Sequence, residues 1–146
     1  MPSKLMKPNL SFDHVHYRTY SDFEETIHFY VDIMEAENLG FVQIGPIRHL
    51  QFRLGGATLL FAPSTAATPQ PAPGPDRLGA FHMAFLVEDC EAATNYYVER
   101  NGGNREIVFK EPELFPVEPP TPTGSYKVAF LKAPDGMLVE LKQLIP

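Results

Sequence analysis

Two stretches of the chain echo each other, with an acidic residue seven positions before an aromatic pair in both. One runs from Asp22 to Tyr30 and the other from Asp89 to Tyr97, and each begins with an aspartate and ends with two aromatic residues. Each aspartate follows a strand-like run and precedes an amphipathic segment. An aspartate in that position predicts a helix N-cap, because its carboxylate accepts the free N–H groups of the first turn. The repeat therefore predicts two strand-then-helix units.

Alternating residues bounded by turn residues predict three more strands in each half. They cover residues 41–44, 49–54 and 58–62, then 107–110, 126–132 and 137–142. We therefore expect an α+β fold of two βαβββ modules, about residues 10–62 and 80–144. The proline-rich stretch 63–79 is predicted to be a linker inside a single domain, 1–146, because neither half is large enough for a comfortable core. A second proline-rich stretch, 111–123, is interpreted as a loop that covers a cleft.

Composition narrows the classes of partner. The net charge is −6 and no run of Lys or Arg is present, which argues against nucleic acid or an acidic membrane surface as a partner. Cys90 is the only cysteine, so neither an intramolecular disulfide nor a paired-thiolate zinc site is expected. No secretory signal is apparent, and no apolar run approaches the ~20 residues that cross a bilayer. We expect a cytoplasmic protein that binds a small molecule.

Polar side chains at unusual strand positions indicate where chemistry takes place. His14, His16 and Arg18 share one face of the first strand, since alternate residues of a strand point the same way. His82 is the only polar group on its strand face, and Glu140 interrupts an apolar strand and needs a partner. Two imidazoles and one carboxylate can bind a divalent metal and leave positions open for substrate.

Ordinary structural roles are the alternatives for these residues. His14 and His82 could be core residues hydrogen-bonded to backbone, and Glu140 could form an ion pair with Arg18 or Lys142. For two further histidines, His28 and His49, we expect a surface or structural role, although His49 could line a cleft.

Three segments resemble the vicinal oxygen chelate superfamily. They are Phe-Asp-His-Val at 12–15, Phe-His-Met-Ala-Phe-Leu-Val-Glu-Asp at 81–89, and the segment 127–141, which ends in Val-Glu-Leu. This superfamily includes glyoxalase I, methylmalonyl-CoA epimerase, extradiol dioxygenases, fosfomycin resistance enzymes and bleomycin resistance proteins. The resemblance covers about residues 10–144. It implies paired βαβββ modules whose curled mixed sheets surround a metal-bearing cleft, with His14, His82 and Glu140 as the metal ligands.

The chain also departs from the family pattern. His82 lies seven residues before Asp89, whereas His14 lies eight before Asp22, so His16 competes with His14 as a ligand. If His14 is the ligand, His16 is expected to act as a catalytic acid or base. Leu60 stands where glyoxalases and epimerases carry a further Glu or Gln ligand.

The resemblance therefore favours an Fe²⁺ dioxygenase-like enzyme with a His/His/Glu site, acting on a small oxygen-bearing organic substrate. Zn²⁺, Mn²⁺, Ni²⁺ and Co²⁺ are alternatives. The extradiol pattern would also place a His upstream of the Glu and a Tyr near position 130, where this chain has Thr121-Pro122-Thr123 and Phe130. Two other functions stay open: a glyoxalase- or epimerase-like lyase or isomerase, and a non-catalytic drug-binding protein like the bleomycin resistance proteins.

Other residues are expected to contact the substrate. Arg18 could hold an anionic group, Leu60 occupies a ligand position, and Tyr126 and Phe130 could form an apolar wall. Because members of the superfamily often pair, a homodimer is also possible.

Overall fold

The computed structural model describes residues 6–20, 22–64, 82–115 and 125–145. The first module contains β1 (Val15–Thr19), α1 (Phe23–Ile27) continued by a π-helical turn (His28–Ile33), β2 (Glu37–Ile44), β3 (Ile47–Leu54) and β4 (Ala57–Pro63). The second contains β5 (His82–Leu86), α2 (Cys90–Arg100), β6 (Val108–Phe115), β7 (Ser125–Lys132) and β8 (Leu138–Ile145). Short 3₁₀ turns, Arg105–Ile107 and Pro134–Gly136, precede β6 and β8.

Each module forms one four-stranded mixed sheet. The strand orders are β1-β4-β3-β2 and β5-β8-β7-β6. The pairs β1–β4 and β5–β8 are parallel, and the other pairs are antiparallel. The predicted α+β class with two βαβββ modules is therefore confirmed.

Both predicted N-caps are present. The Asp22 carboxylate accepts the backbone N–H of Glu25 at 3.0 Å, and the Asp89 carboxylate accepts that of Ala92 at 3.0 Å. The first helix then widens into the π-helical turn, which carries Tyr30 into the core. Sequence periodicity did not foresee this turn.

One hydrophobic core lies between the two modules. Its buried members come from both sheets and from the helical segments between their strands, including Tyr30, Ile33, Leu50, Phe52, Leu59, Phe61, Cys90, Ala129, Leu131, Val139 and Leu141. We call the side of each sheet that carries these residues its inner face and the opposite side its outer face. Because both inner faces are buried in one core, the two outer faces point away from it.

Polar contacts also join the modules. The Thr19 hydroxyl donates to the Asp135 carboxylate, which also accepts the backbone N–H of Tyr20 at 3.1 Å. The Arg100 guanidinium donates to the Asp32 carbonyl and lies 3.3 Å from the Glu35 carboxylate. These contacts fix the orientation of one module against the other.

The loop predicted over residues 111–123 is partly wrong, because β6 continues to Phe115. Pro112 is tolerated there since β6 is an edge strand, and the register shifts between Lys110 and Glu113. Residues 116–123 of that loop and 65–79 of the predicted linker lie outside the described residues. Within the described ranges, no helix has the length and apolar character needed to cross a bilayer.

Candidate functional site

His82 and Glu140 meet on the outer face of the second sheet. The strands β5 and β8 are parallel, with Ala84 opposite Glu140, so His82 lies one outer-face position away. His82 Nε2 is 3.0 Å from Glu140 Oε2, and the two side chains are only 27% and 15% exposed. The carboxylate that interrupts an apolar strand therefore has His82 as its partner.

Aromatic side chains stand beside this pair. Phe130 lies opposite Glu140 on β7, and its ring centroid is 5.4 Å from that of His82. Further along the same face, the Lys142 ammonium lies 3.7 Å from the centre of the Tyr126 ring, a cation–π contact. On the second sheet, Phe130 thus lies against the imidazole–carboxylate pair, and the Lys142–Tyr126 contact lies further along the same face.

The outer face of the first sheet carries His16 and Arg18. Their neighbours Val15 and Tyr17 point the other way, and Tyr17 stacks on Phe61 with ring centroids 5.4 Å apart. Arg18 is exposed and donates to the carbonyl of Pro63 at 3.1 Å. The alternation expected for this strand is therefore present.

Leu60 and His49 lie close to His16 on this face. Leu60 is opposite His16 in the β1–β4 register and is buried. His49, on β3, is 5% exposed, and its ring centroid is 5.1 Å from that of His16. Burial lowers the pKa of His16, and the nearby charges of Arg18, His49 and His14 lower it further.

His14 precedes β1 rather than lying within it. Its Nδ1 is 2.6 Å from the carboxylate of Asp13, and both side chains are exposed. Since a carboxylate can only accept, Nδ1 is the protonated nitrogen in the neutral ring and Nε2 is left with a lone pair. His14 is therefore oriented as a metal-ligating histidine often is, by a carboxylate on its second nitrogen.

The structure does not bring all the predicted ligands together in one chain. Within residues 6–20, 22–64, 82–115 and 125–145, no three His, Cys, Asp or Glu side chains are close enough to hold one metal ion. His82 and Glu140 lie on one outer face and the first-strand histidines belong to the other. In one chain the predicted ligands thus fall into two groups, with the shared core between them.

The sequence left open whether His49 lines a cleft, and the structure places it beside His16. The alternation of Leu50, Phe52 and Leu54 with His49, Gln51 and Arg53 already predicts that His49 points outward with His16 once the inner face of β3 is known. The contact between the two rings depends on the strand order, which the sequence pattern does not give.

The chain matches the family model of the Glyoxalase/Bleomycin resistance protein/Dioxygenase superfamily over residues 11–141. It belongs to this superfamily. The superfamily contains many enzymes and also proteins that bind small molecules without catalysis, so membership alone does not decide the reaction.

Solved structures of the superfamily fold agree over nearly the whole chain. A glyoxalase family protein from Enterococcus faecalis is 27% identical, with a TM-score of 0.64 over 91% of this chain and 97% of that chain. The fosfomycin resistance protein FosX from Mesorhizobium loti is 19% identical, with a TM-score of 0.53 over 93% and 91% of the two chains. TnmS3, an antibiotic-binding protein from Streptomyces sp. CB03234, is 19% identical, with a TM-score of 0.62 over 96% and 100%. At 19% identity, the last two likenesses concern the fold alone. No curated protein matches the chain in sequence.

Proposed function

We propose that the chain is a metal-dependent enzyme that binds a divalent ion through His82, Glu140 and a first-strand histidine. The observation that carries this proposal is the distance between His82 Nε2 and Glu140 Oε2, 3.0 Å. Two ligand atoms bound at right angles by bonds of about 2.1 Å lie about 3.0 Å apart. The pair thus has the spacing of two neighbouring metal ligands, and its partial burial keeps both groups in place.

The third ligand comes from the start of the first strand, either His14 just before it or His16 within it. His14 is the ligand that the Asp-His-Val motif favours, and the Asp13 carboxylate leaves its Nε2 available. His16 lies on the outer face itself and offers an imidazole nitrogen as the alternative donor. The residue of the two that does not bind the ion is proposed to act as an acid or base toward the substrate.

The proposed site is shared between two copies of the chain. In the homodimer, the outer face of the first sheet of one copy covers the outer face of the second sheet of the other. Exposed apolar residues on these faces support such a cover: Leu86, Leu144 and Ile44 are 69%, 41% and 48% exposed. Apolar side chains of this size at the surface are typical of an interaction site when they lie together.

The substrate is proposed to be a small organic molecule that offers two adjacent oxygens. When bound, the ion supplies a Lewis acid and, in the case of Fe²⁺, an oxygen-activating centre. Phe130 and Tyr126 wall the site, and Lys142 and Arg18 offer positive charge to an anionic group. Leu60 supplies no base, and its position favours dioxygenase-like chemistry over the lyase and isomerase reactions that use a carboxylate there.

Elemental analysis of protein purified without an affinity tag tests the metal site. We expect near-stoichiometric metal in the native protein and its loss in a His82→Ala, Glu140→Ala double variant. His28→Ala is the matched control, since His28 begins the π-helical turn after α1, lies beside Asp32 and is outside the proposed site. Iron would lead to oxygen-consumption assays with vicinal diols and keto acids. A native protein that holds no metal and takes up no Fe, Mn, Zn, Co or Ni would contradict the proposal and favour small-molecule binding without catalysis.

A mixing experiment tests whether two copies share the site. A His14→Ala, His16→Ala variant keeps His82 and Glu140, and the double variant above keeps the first-strand histidines. Neither variant alone should bind metal. After subunits are exchanged, each mixed dimer should contain one intact site, so metal binding should return. Mixed dimers that form but bind no metal would exclude the shared site.

A further inference from the structure

We propose that His49 is a further metal ligand, which together with His16 forms a two-imidazole half of the metal site. This inference rests on the function proposed above and adds a residue to it. The fourth-strand position that carries a Glu or Gln in related enzymes is Leu60, which has no donor atom. His49 supplies a nitrogen donor from the next strand of the same outer face.

The two rings lean toward each other across β4. His16 is on β1 and His49 is on β3, and β4 lies between them in the sheet. Two strand spacings alone put at least about 9.6 Å between their backbones, yet the ring centroids are 5.1 Å apart. Ala62, on the same face of β4, is small and fully buried beneath this region. Both side chains therefore extend toward each other over β4.

The distance between the rings fits two ligands of one ion. For bonds of about 2.1 Å and N–metal–N angles of about 90° to 110°, two imidazole centroids lie about 4.5 to 5.3 Å apart. The observed separation of 5.1 Å falls within this interval, and the 56° angle between the ring planes rules out parallel stacking. The separation is therefore compatible with two imidazoles that bind one ion.

Hydrogen bonding prepares His49 for this role. Its Nδ1 lies 3.1 Å from the backbone carbonyl of Ile47. Because a carbonyl only accepts, Nδ1 carries the proton of the neutral ring and Nε2 keeps its lone pair. A backbone carbonyl on the second nitrogen is the usual way in which proteins orient a metal-ligating histidine. The ring is also 5% exposed, so packing holds its orientation.

The resulting site would contain three imidazoles and one carboxylate: His16, His49, His82 and Glu140. Imidazole donors favour Fe²⁺, Co²⁺, Ni²⁺, Cu²⁺ and Zn²⁺ over Mg²⁺ and Ca²⁺. Because only one of the four ligands is a carboxylate and the imidazoles are neutral, the ion and its ligands together carry a net charge of about +1. The site therefore favours substrates whose chelating oxygens carry a negative charge, such as enolates, catecholates or 2-oxo carboxylates.

Cobalt titration tests the role of His49, with Co²⁺ alone as the probe. We expect His49→Ala and His16→Ala each to weaken Co²⁺ binding by at least about tenfold and to change the visible absorption spectrum of the bound ion. His28→Ala should change neither. One outcome would exclude His49 as a ligand and leave the proposed function intact. In that outcome, wild-type protein binds Co²⁺, His82→Ala abolishes the binding, and His49→Ala alters neither the affinity nor the spectrum. If wild-type protein binds no Co²⁺, Zn²⁺ or Fe²⁺, the proposed function fails first.

A measurement on the unmodified chain covers the case in which His49→Ala does not fold. The chain has five histidines, so their side-chain ¹⁵N resonances can be assigned one by one, with His49→Gln identifying His49. Adding Zn²⁺ should shift the Nε2 resonances of His16, His49 and His82. A shift at His82 without one at His49 would overturn the inference.

Discussion

At the residue scale, Gly55 shows how closely the two modules approach each other. It lies in the turn between β3 and β4 with φ of +57°, and a Cβ added there would lie 2.6 Å from Cδ1 of Phe85 on β5. The position therefore requires glycine both for its backbone conformation and for its space. Gly56, the next residue, has φ of +83° with no atom within 4 Å of an added Cβ.

This pair of glycines gives a matched prediction. Gly56→Ala should lower the free energy of unfolding by about 1–2 kcal/mol, the cost of a left-handed backbone at a residue with a Cβ. Gly55→Ala should lower it by a further 1–3 kcal/mol or so, because Phe85 must move. Urea unfolding followed by far-UV circular dichroism measures both values. Equal decreases in the free energy of unfolding of the two variants would show that the Phe85 side chain moves aside without an energetic cost.

The sequence could indicate individual candidate residues of the site but not their partners. His82 and Glu140 were visible as polar interruptions of apolar strand faces, and the register of two parallel strands explains why they meet. The pairing of His16 with His49 was not visible, because it depends on β4 being inserted between β1 and β3. Residue type and spacing reveal a side chain that needs a partner, whereas strand order supplies the partner.

At the scale of elements, helix α2 begins at an N-cap that the sequence predicted. Asp89→Ala should lower the free energy of unfolding by about 1 kcal/mol, because the backbone N–H of Ala92 loses the carboxylate that accepts it. Glu88→Ala is the control, since Glu88 is an exposed carboxylate one residue earlier and does not cap the helix. Thermal unfolding should show the loss in the first variant only. A similar decrease in both would mean that charge near the helix start, rather than capping, is responsible.

Strand identities were predictable because turn residues and alternation mark them. The ends of the strands were less predictable. Strand β6 extends past Pro112 to Phe115, because the N–H groups on the free side of an edge strand have no neighbouring strand to bond. The π-helical turn after α1 also escaped prediction. Its pattern of buried residues, Phe29, Tyr30 and Ile33, is compatible with an ordinary helix, and only the fit to the core selects the wider turn.

At the scale of the whole molecule, the shared core predicts that the two modules unfold together. Six tyrosines and no tryptophan are present, with three tyrosines in each module. Near-UV circular dichroism of tyrosine and far-UV circular dichroism should therefore give coincident transitions in urea. A fragment of residues 1–64 should show no cooperative transition, because half of its core partners are missing. Two separated transitions in the full chain would contradict the single domain that we predict.

Because the two outer faces of one chain point away from each other, metal binding in the proposed homodimer depends on the concentration of the protein. In the proposed homodimer each ion is bound by residues of both copies, so binding the ion also holds the copies together. Linkage then requires that metal tighten the dimer by the same factor by which dimerisation tightens metal binding. At metal concentrations of about 100 times the dissociation constant, each site would stabilise the assembled form by about 2.7 kcal/mol. Dilution should therefore release metal, and chelation should release monomers.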